Sequence, residues 1–422
     1  MSLRSTEART SPPEGLTGAL LFTLGALAAL GPLAIDLYLS AFPSMVTELG
    51  SDATGIQLSL TGYLVGVAGG QLLFGPLSDR YGRRGPLLIG LSICVIASIA
   101  AASAPTLSIL IAARILQGVS AAAGAVIGRA IISDLSSGDV AARAISVMML
   151  VGGIAPIIAP ALGSVIGGAL GWRGILATIA VVIVVLLIAV ATVVRESHPR
   201  SRRELIRIRH HGHPRALPLL MSSGFLGNTV AMAFSTGVMM TYIAASPFLY
   251  QQMIGFSPLG FGLMFGANAT AMLLVNWCSA RLIGRFRVRT ILRWGIVVMV
   301  IACLAATLLV VLDAPPASLI APLFVAVASV GAIAPKATAE AIAQVPSIAG
   351  TGSAVLGALQ FGVGATVTPL ASIAGTDSAL PMAITMTACA LIMTAGFIAA
   401  RPPRVSMTLA TSDDIDDLAQ RA

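Results

Sequence analysis

Hydrophobic residues run along this chain in blocks of membrane length, broken at regular intervals by short polar segments. The apolar stretches lie near 16–42, 53–74, 86–104, 106–130, 143–170, 173–194, 217–246, 258–281, 290–312, 317–339, 350–374 and 379–400. A helix needs about 20 apolar residues to cross a hydrocarbon core, so the pattern predicts twelve transmembrane helices. The longest polar interruption, Arg195 to Arg215, carries seven arginines and two glutamates and separates two sets of six spans. The expected architecture is therefore all-α and membrane-embedded, in two six-helix bundles. The bundles are placed over 16–194 and 216–400, with a basic linker over 195–215 and tails over 1–15 and 401–422.

Composition agrees: 57% of the 422 residues are hydrophobic and 10% charged, against about 25% charged in a soluble domain. The net charge of +8 is a topology signal, since it sits in short loops on one side of the bilayer. With both termini in the cytoplasm, the inner loops collect Arg80, Arg83, Arg84, Arg143, the 195–215 cluster and Arg281 to Arg293. The outer loops then hold Glu48, Asp52, Asp313 and Asp377, with Arg173 as their only basic residue. This predicts a multi-pass membrane protein with both termini in the cytoplasm and excludes nucleic acid as a partner. The run after residue 15 is too long for a signal-peptide core and reads as a retained first helix. Cys94, Cys278, Cys303 and Cys389 lie in apolar runs and read as small hydrophobes. The acidic tail, Asp413, Asp414, Asp416 and Asp417, reads as solvated.

One interruption carries more charge than chain reversal requires: Gly75-Pro-Leu-Ser-Asp79-Arg80-Tyr-Gly82-Arg83-Arg84, between spans two and three. It resembles the signature loop of the major facilitator superfamily of secondary transporters. The resemblance implies a gating loop of Gly75, Asp79, Arg80, Gly82, Arg83 and Arg84. Its arginines would pair with Asp134 or Asp139 when the inner gate shuts. Asp79 would accept N–H groups from a neighbouring helix N-terminus. The stretch Arg281 to Arg289 echoes this loop weakly in the second half.

Two further stretches resemble motifs of the same superfamily. Arg114-Ile-Leu-Gln117-Gly118 in span four resembles its second motif. Gly152-Gly-Ile-Ala-Pro156-Ile-Ile-Ala-Pro160-Ala-Leu-Gly163 in span five resembles its third, typical of antiporters, with Pro156, Pro160 and Gly163 shaping the helix. Asp36-Leu-Tyr38-Leu-Ser40-Ala-Phe-Pro43, Tyr250 and the 349–354 stretch narrow the likeness to the Bcr/CflA branch of drug–proton antiporters. Ser40 replaces a proline of that pattern, so a weaker local kink is expected.

An ionisable group inside a span costs at least a few kcal/mol and needs a reason. Asp36 and Arg114 fall at similar depth, roughly 10 Å and 12 Å below the outer face at 1.5 Å per residue, and are placed to pair. The functional reading makes them the proton-coupling pair. The structural one makes them a fixed ion pair locking helices one and four. Candidates for substrate contact are Tyr38, Gln57, Thr61, Tyr63, Gln117, Asn228, Asn268 and Gln360, each of which a neighbouring helix would also satisfy. Lys336 and Glu340 are spaced to pair near the inner end of span ten.

No phosphate-binding loop, Ser/His/Asp set or metal-ligand cluster appears, so no ATP drive, enzyme activity, cofactor or metal is expected. His198, His210, His211 and His213 belong to the basic linker, read as solvated and close to anionic lipid headgroups. The resemblance implies a monomeric exporter of small amphipathic compounds, such as chloramphenicol- or bicyclomycin-type antibiotics, in exchange for protons. A proton-coupled exporter of a cellular metabolite is the alternative. A nutrient symporter and a non-transporting membrane sensor are more distant ones.

Overall fold

The computed structural model describes residues 16–198, 216–373, 375 and 378–400; the N-terminal tail, the linker from 199, Asp377 and the acidic tail lie outside them. Among the described residues there is no strand, and eleven helices are long and apolar enough to cross a membrane. The first half contains α1 (Gly18–Asp36), the short α2 (Phe42–Glu48), α3 (Ala53–Tyr81), α4 (Arg84–Ala102), α5 (Leu107–Leu135) and α6 (Gly138–Val193). The second half contains the short α7 (Ala216–Leu220), α8 (Ser223–Phe248), α9 (Pro258–Arg281), α10 (Val288–Val311), α11 (Ile320–Ala343), α12 (Ala349–Val367) and α13 (Leu380–Ala399).

Helix α6 is two spans in one. At its Gly171, φ is 66° and ψ −177°, a conformation reserved for glycine, and the chain reverses there. Twelve crossings result, as the hydrophobic blocks predict. Side chains cap the span starts where the chain leaves water: Asp52 accepts from the Gly55 N–H at 2.7 Å, Ser257 from Gly260 at 3.1 Å.

With no water in the hydrocarbon region, helices adhere by close packing rather than by apolar burial. Small residues supply it. α3 and α5 touch through Gly66 against the Ile115 carbonyl and Gly118 against the Tyr63 carbonyl, where added Cβ atoms would overlap. Large apolar side chains such as Phe22, Leu150, Ile188, Trp294 and Ile398 point outward instead. Between the halves, α3 packs on α12 and α6 on α9.

The first span departs from expectation. Despite Ser40, it does not merely kink weakly: α1 stops at Asp36, a 3₁₀ turn covers Leu39–Ala41, and α2 continues the crossing to Glu48. The backbone is interrupted inside the membrane, and Asp36 is the last helical residue before the interruption.

Candidate functional site

A helix interrupted at membrane depth leaves carbonyls to be satisfied by its neighbours. Arg114 of α5 supplies one such bond, its Nη2 donating to the Ala34 carbonyl at 2.9 Å. Its Nη1 donates to Gln117 Oε1 at 2.6 Å, and Gln117 Nε2 donates to Ser98 Oγ at 2.7 Å. The guanidinium lies between two tyrosine rings, 4.4 Å from the centroids of both Tyr38 and Tyr63, so its charge is met by π-faces. No ion pair within 4 Å joins it to Asp36. The expected pairing is corrected: Arg114 binds the backbone two residues before the carboxylate. Asp36 itself is 3% exposed, and its Oδ1 accepts no hydrogen bond among the described residues.

On the other side of the break stands Gly163. A Cβ there would overlap the Leu37 carbonyl, so the third motif's final glycine is fixed by contact with the interrupted backbone. Pro156 and Pro160 sit inside a stretch that stays helical as far as Gly171. Ser164 Oγ donates to the Pro160 carbonyl and to the Pro258 carbonyl of α9, both at 2.7 Å. The antiporter-type segment thus touches Asp36's helix on one side and the second half on the other.

The charged turn folds around Arg83. Its Nε donates to Asp134 Oδ2 at 2.8 Å, and its Nη1 to Asp79 Oδ1 at 2.6 Å and Ser78 Oγ at 2.8 Å. Burial alone would lower the guanidinium pKa. Hydrogen bonds to Asp134 and Asp79 outweigh it and hold the value above the usual arginine range. Asp79 takes its bond from Arg83 and is 67% exposed; among the described contacts it meets no helix N-terminus, contrary to expectation. Arg84 donates to the Ala191 carbonyl at 2.7 Å, and Arg80 lies over the Tyr81 ring at 5.3 Å. The side chain of Asp139 lies outside the described residues.

Hydrogen bonds between the two halves gather at the end away from this turn. Gln57 Nε2 donates to the Ala244 carbonyl at 3.0 Å and to Ser372 Oγ at 2.7 Å. Thr54 Oγ1 donates to the Ser372 carbonyl at 2.8 Å, and Gln251 Nε2 to the Ser40 carbonyl at 3.2 Å. The Phe42 and Phe248 rings meet across the same seam, 6.1 Å between centroids.

Comparison with known proteins decides the family. The model of the Major Facilitator Superfamily matches residues 24–369. The chain belongs to the major facilitator superfamily. An uncharacterised transporter of that superfamily, YdgK of Bacillus subtilis, is 33% identical over 92% of this chain and 96% of its own. A bicyclomycin resistance protein homolog of Haemophilus influenzae is 28% identical over 89% of this chain and 94% of its own. A chloramphenicol resistance protein of Pseudomonas aeruginosa is 33% identical over 66% of this chain and 65% of its own. In fold, a D-xylose-proton symporter structure superposes with a TM-score of 0.68 at 16% identity, covering 89% of this chain and 97% of that one. The protein is a multi-pass transporter of this superfamily rather than an enzyme, and its substrates are small molecules.

Within this major facilitator protein, the superfamily loop has a partner that sequence reading missed. Glu196 accepts from the Arg83 N–H at 2.8 Å and the Arg84 N–H at 3.1 Å. It also lies where a Cβ on Gly82 (φ 96°) would fall, 2.6 Å from Glu196 Oε2. Ser197 Oγ donates to Asp134 at 3.2 Å and His198 is 5% exposed beside it. The start of the linker is therefore packed under the loop instead of solvated. His210, His211 and His213 lie outside the described residues.

The substrate candidates separate by position. Tyr38, Tyr63 and Gln117 surround Arg114, whereas Gln57 belongs to the seam. Thr61 Oγ1 is buried without a partner among the described residues. Asn228 donates to its own helix at Gly224, 2.9 Å away, and both amide atoms of Asn268 are buried without a partner among the described residues. Gln360 is half-buried in α12. The structure also gathers Tyr242, Tyr250, Phe256, Phe261 and Phe265 into one cluster, with Tyr242 stacked on Phe265 at 5.9 Å. These aromatics lie within 24 residues of one another, but on two helices and the turn between them, so only the fold shows that their rings meet.

Proposed function

We propose that this transporter exports small, partly hydrophobic compounds in exchange for protons, with antibiotics of the chloramphenicol and bicyclomycin kind among them. The observation that carries the exchange is Asp36: a carboxylate buried at a helix interruption, with an oxygen that accepts no bond and no ion pair to Arg114. A carboxylate tied into a salt bridge would lose that bond on protonation. Asp36 loses none, so it can bind and release a proton at little structural cost. The drug class is supported by the relatives named for bicyclomycin and chloramphenicol resistance and by the branch motif at Asp36–Pro43.

In this reading the protein works as a monomer in the bacterial inner membrane, with the Arg83 loop and both termini in the cytoplasm. The Gln57–Ser372 seam then closes the outer end, and drug is loaded from the cytoplasm; the Arg83–Asp134 pair lies within the first half alone, so its presence is compatible with that state and is not the sign of a shut inner gate. Opening the seam exposes Asp36 to the outer proton supply. Protonation neutralises a buried charge and favours return to the inward state. The membrane potential contributes about 2.3 kcal/mol per proton for each 100 mV. Everted membrane vesicles test the proposal: chloramphenicol uptake should require an imposed pH gradient and stop with an uncoupler. Uptake indifferent to the uncoupler would reject proton exchange, and its absence for every antibiotic tried would reject the drug class.

A further inference from the structure

The chain contains 25 lysine and arginine residues, and Lys336 is its single lysine. It is 4% exposed in α11, seven residues or roughly 10 Å from the helix end nearest the Arg83 loop. Its ammonium crosses to α9, donating to Asn276 Oδ1 at 2.9 Å and to Ser279 Oγ, with the carbonyls of Asn276 at 3.4 Å and Gly331 at 3.3 Å. Gly331 makes that reach possible. A Cβ there would overlap the Met272 carbonyl, so the two backbones are in contact one turn away.

Among the described residues, every acceptor around this ammonium is neutral. No ion pair within 4 Å joins it to Glu340, so the expected pairing along α11 is not formed; Asp313 lies past the opposite end of α10. The loop joining α9 to α10 adds Arg281, Arg285 and Arg287, with no acidic residue. A buried charge without a counter-ion is costly, and breaking even with neutral ligands requires good geometry. An asparagine or glutamine there would present a neutral donor on the same face of α11, with a shorter reach but no charge to bury. The charge therefore serves something that the described residues do not supply.

We propose that Lys336, with Asn276 and Ser279, forms a binding site for an oxyanion, a carboxylate or phosphate-type group. The ammonium supplies the charge, while the amide and hydroxyl turn to orient it. The oxyanion arrives either on a transported compound or on a lipid headgroup. In the first form the site deepens the export reading and rests on it; the test does not.

Because Lys336 carries the only side-chain amine, reductive methylation followed by peptide mass spectrometry reads that one group. The full-length protein is methylated in phosphatidylcholine nanodiscs with benzoate or with its neutral isostere benzamide at equal ionic strength. Benzoate is expected to slow methylation roughly tenfold and benzamide to leave it unchanged. Protection in discs containing phosphatidylglycerol, without added solute, would assign the site to a lipid headgroup. Lys336→Asn removes the charge and keeps an amide on the same face of α11. It should weaken benzoate binding by calorimetry roughly tenfold or more. Equal methylation under all conditions, a Lys336 that is never methylated, or unaltered benzoate binding by Lys336→Asn would each reduce the lysine to a sealed clamp and overturn the proposal. A wild type that binds no chloramphenicol would remove the drug reading alone.

Discussion

The carbonyl oxygen of Leu37 lies directly against Gly163, with no room for even a methyl group between them. Two stretches more than a hundred residues apart thereby become one device: the interruption that places Asp36 at a helix end, and the proline-bearing helix that carries the antiporter-type motif.

Gly163→Ala should therefore displace the interrupted backbone. Overpacking of a tight contact costs about 1–3 kcal/mol, read as a lower melting temperature of the purified protein. Transport should fall further than stability does, because the displaced segment holds Asp36. The same change at Gly168, which has open space around it, should leave both measurements close to wild type.

The Arg83 loop predicts a stability effect with a defined pH signature. Arg83 is held above the usual arginine range, so its contribution is fully present below that range and is lost only as pH rises through the raised folded value. Between about pH 5 and pH 9 the contribution should be flat. Arg83→Met leaves Asp134 without its guanidinium and should cost about 3 kcal/mol, and this deficit should not change over that interval. Glu196→Gln should loosen the loop without removing the Arg83–Asp134 pair, giving a smaller loss of stability and faster proteolysis between α3 and α4.

Among the described residues, Gln57 makes two of the five hydrogen bonds between the halves. Gln57→Leu removes both and leaves the Ser372 hydroxyl and the Ala244 carbonyl short of a donor, a loss of about 1–3 kcal/mol. The closed seam should be disfavoured by that amount. A cysteine pair at Ser40 and Gln251, which meet across the same seam without touching the partners of Gln57, reports it through a short bifunctional reagent in membranes: crosslinking should be efficient with Gln57 present and fall several-fold with Gln57→Leu.

Spans, reversals and the charged loop were legible in the sequence because each obeys a local rule: hydrocarbon thickness, arginine placement, glycine in a turn. Gly163 was legible as a motif residue, though its reason lay in Leu37. What escaped depends on contacts distant in sequence. Glu196 reads as part of a basic linker until the fold brings it under Gly82 and Arg83, 113 residues away from the latter. Arg114 and Asp36 share a depth, yet depth does not set rotation about a helix axis, and the guanidinium turns to two tyrosines and a carbonyl instead. The break after Asp36 occurred without the proline expected at Ser40, because Arg114 and the glycine at 163 support an interrupted backbone from both sides.

The most direct measurement is proton release on drug binding. Purified protein in detergent, weakly buffered at mildly alkaline pH, receives chloramphenicol while pH is recorded, with Asp36→Asn run alongside. Exchange on Asp36 predicts a proton pulse in the wild type that is absent in the variant, although the variant still binds the drug. A pulse of equal size in Asp36→Asn would contradict the account, because the exchanged proton would then reside on another group.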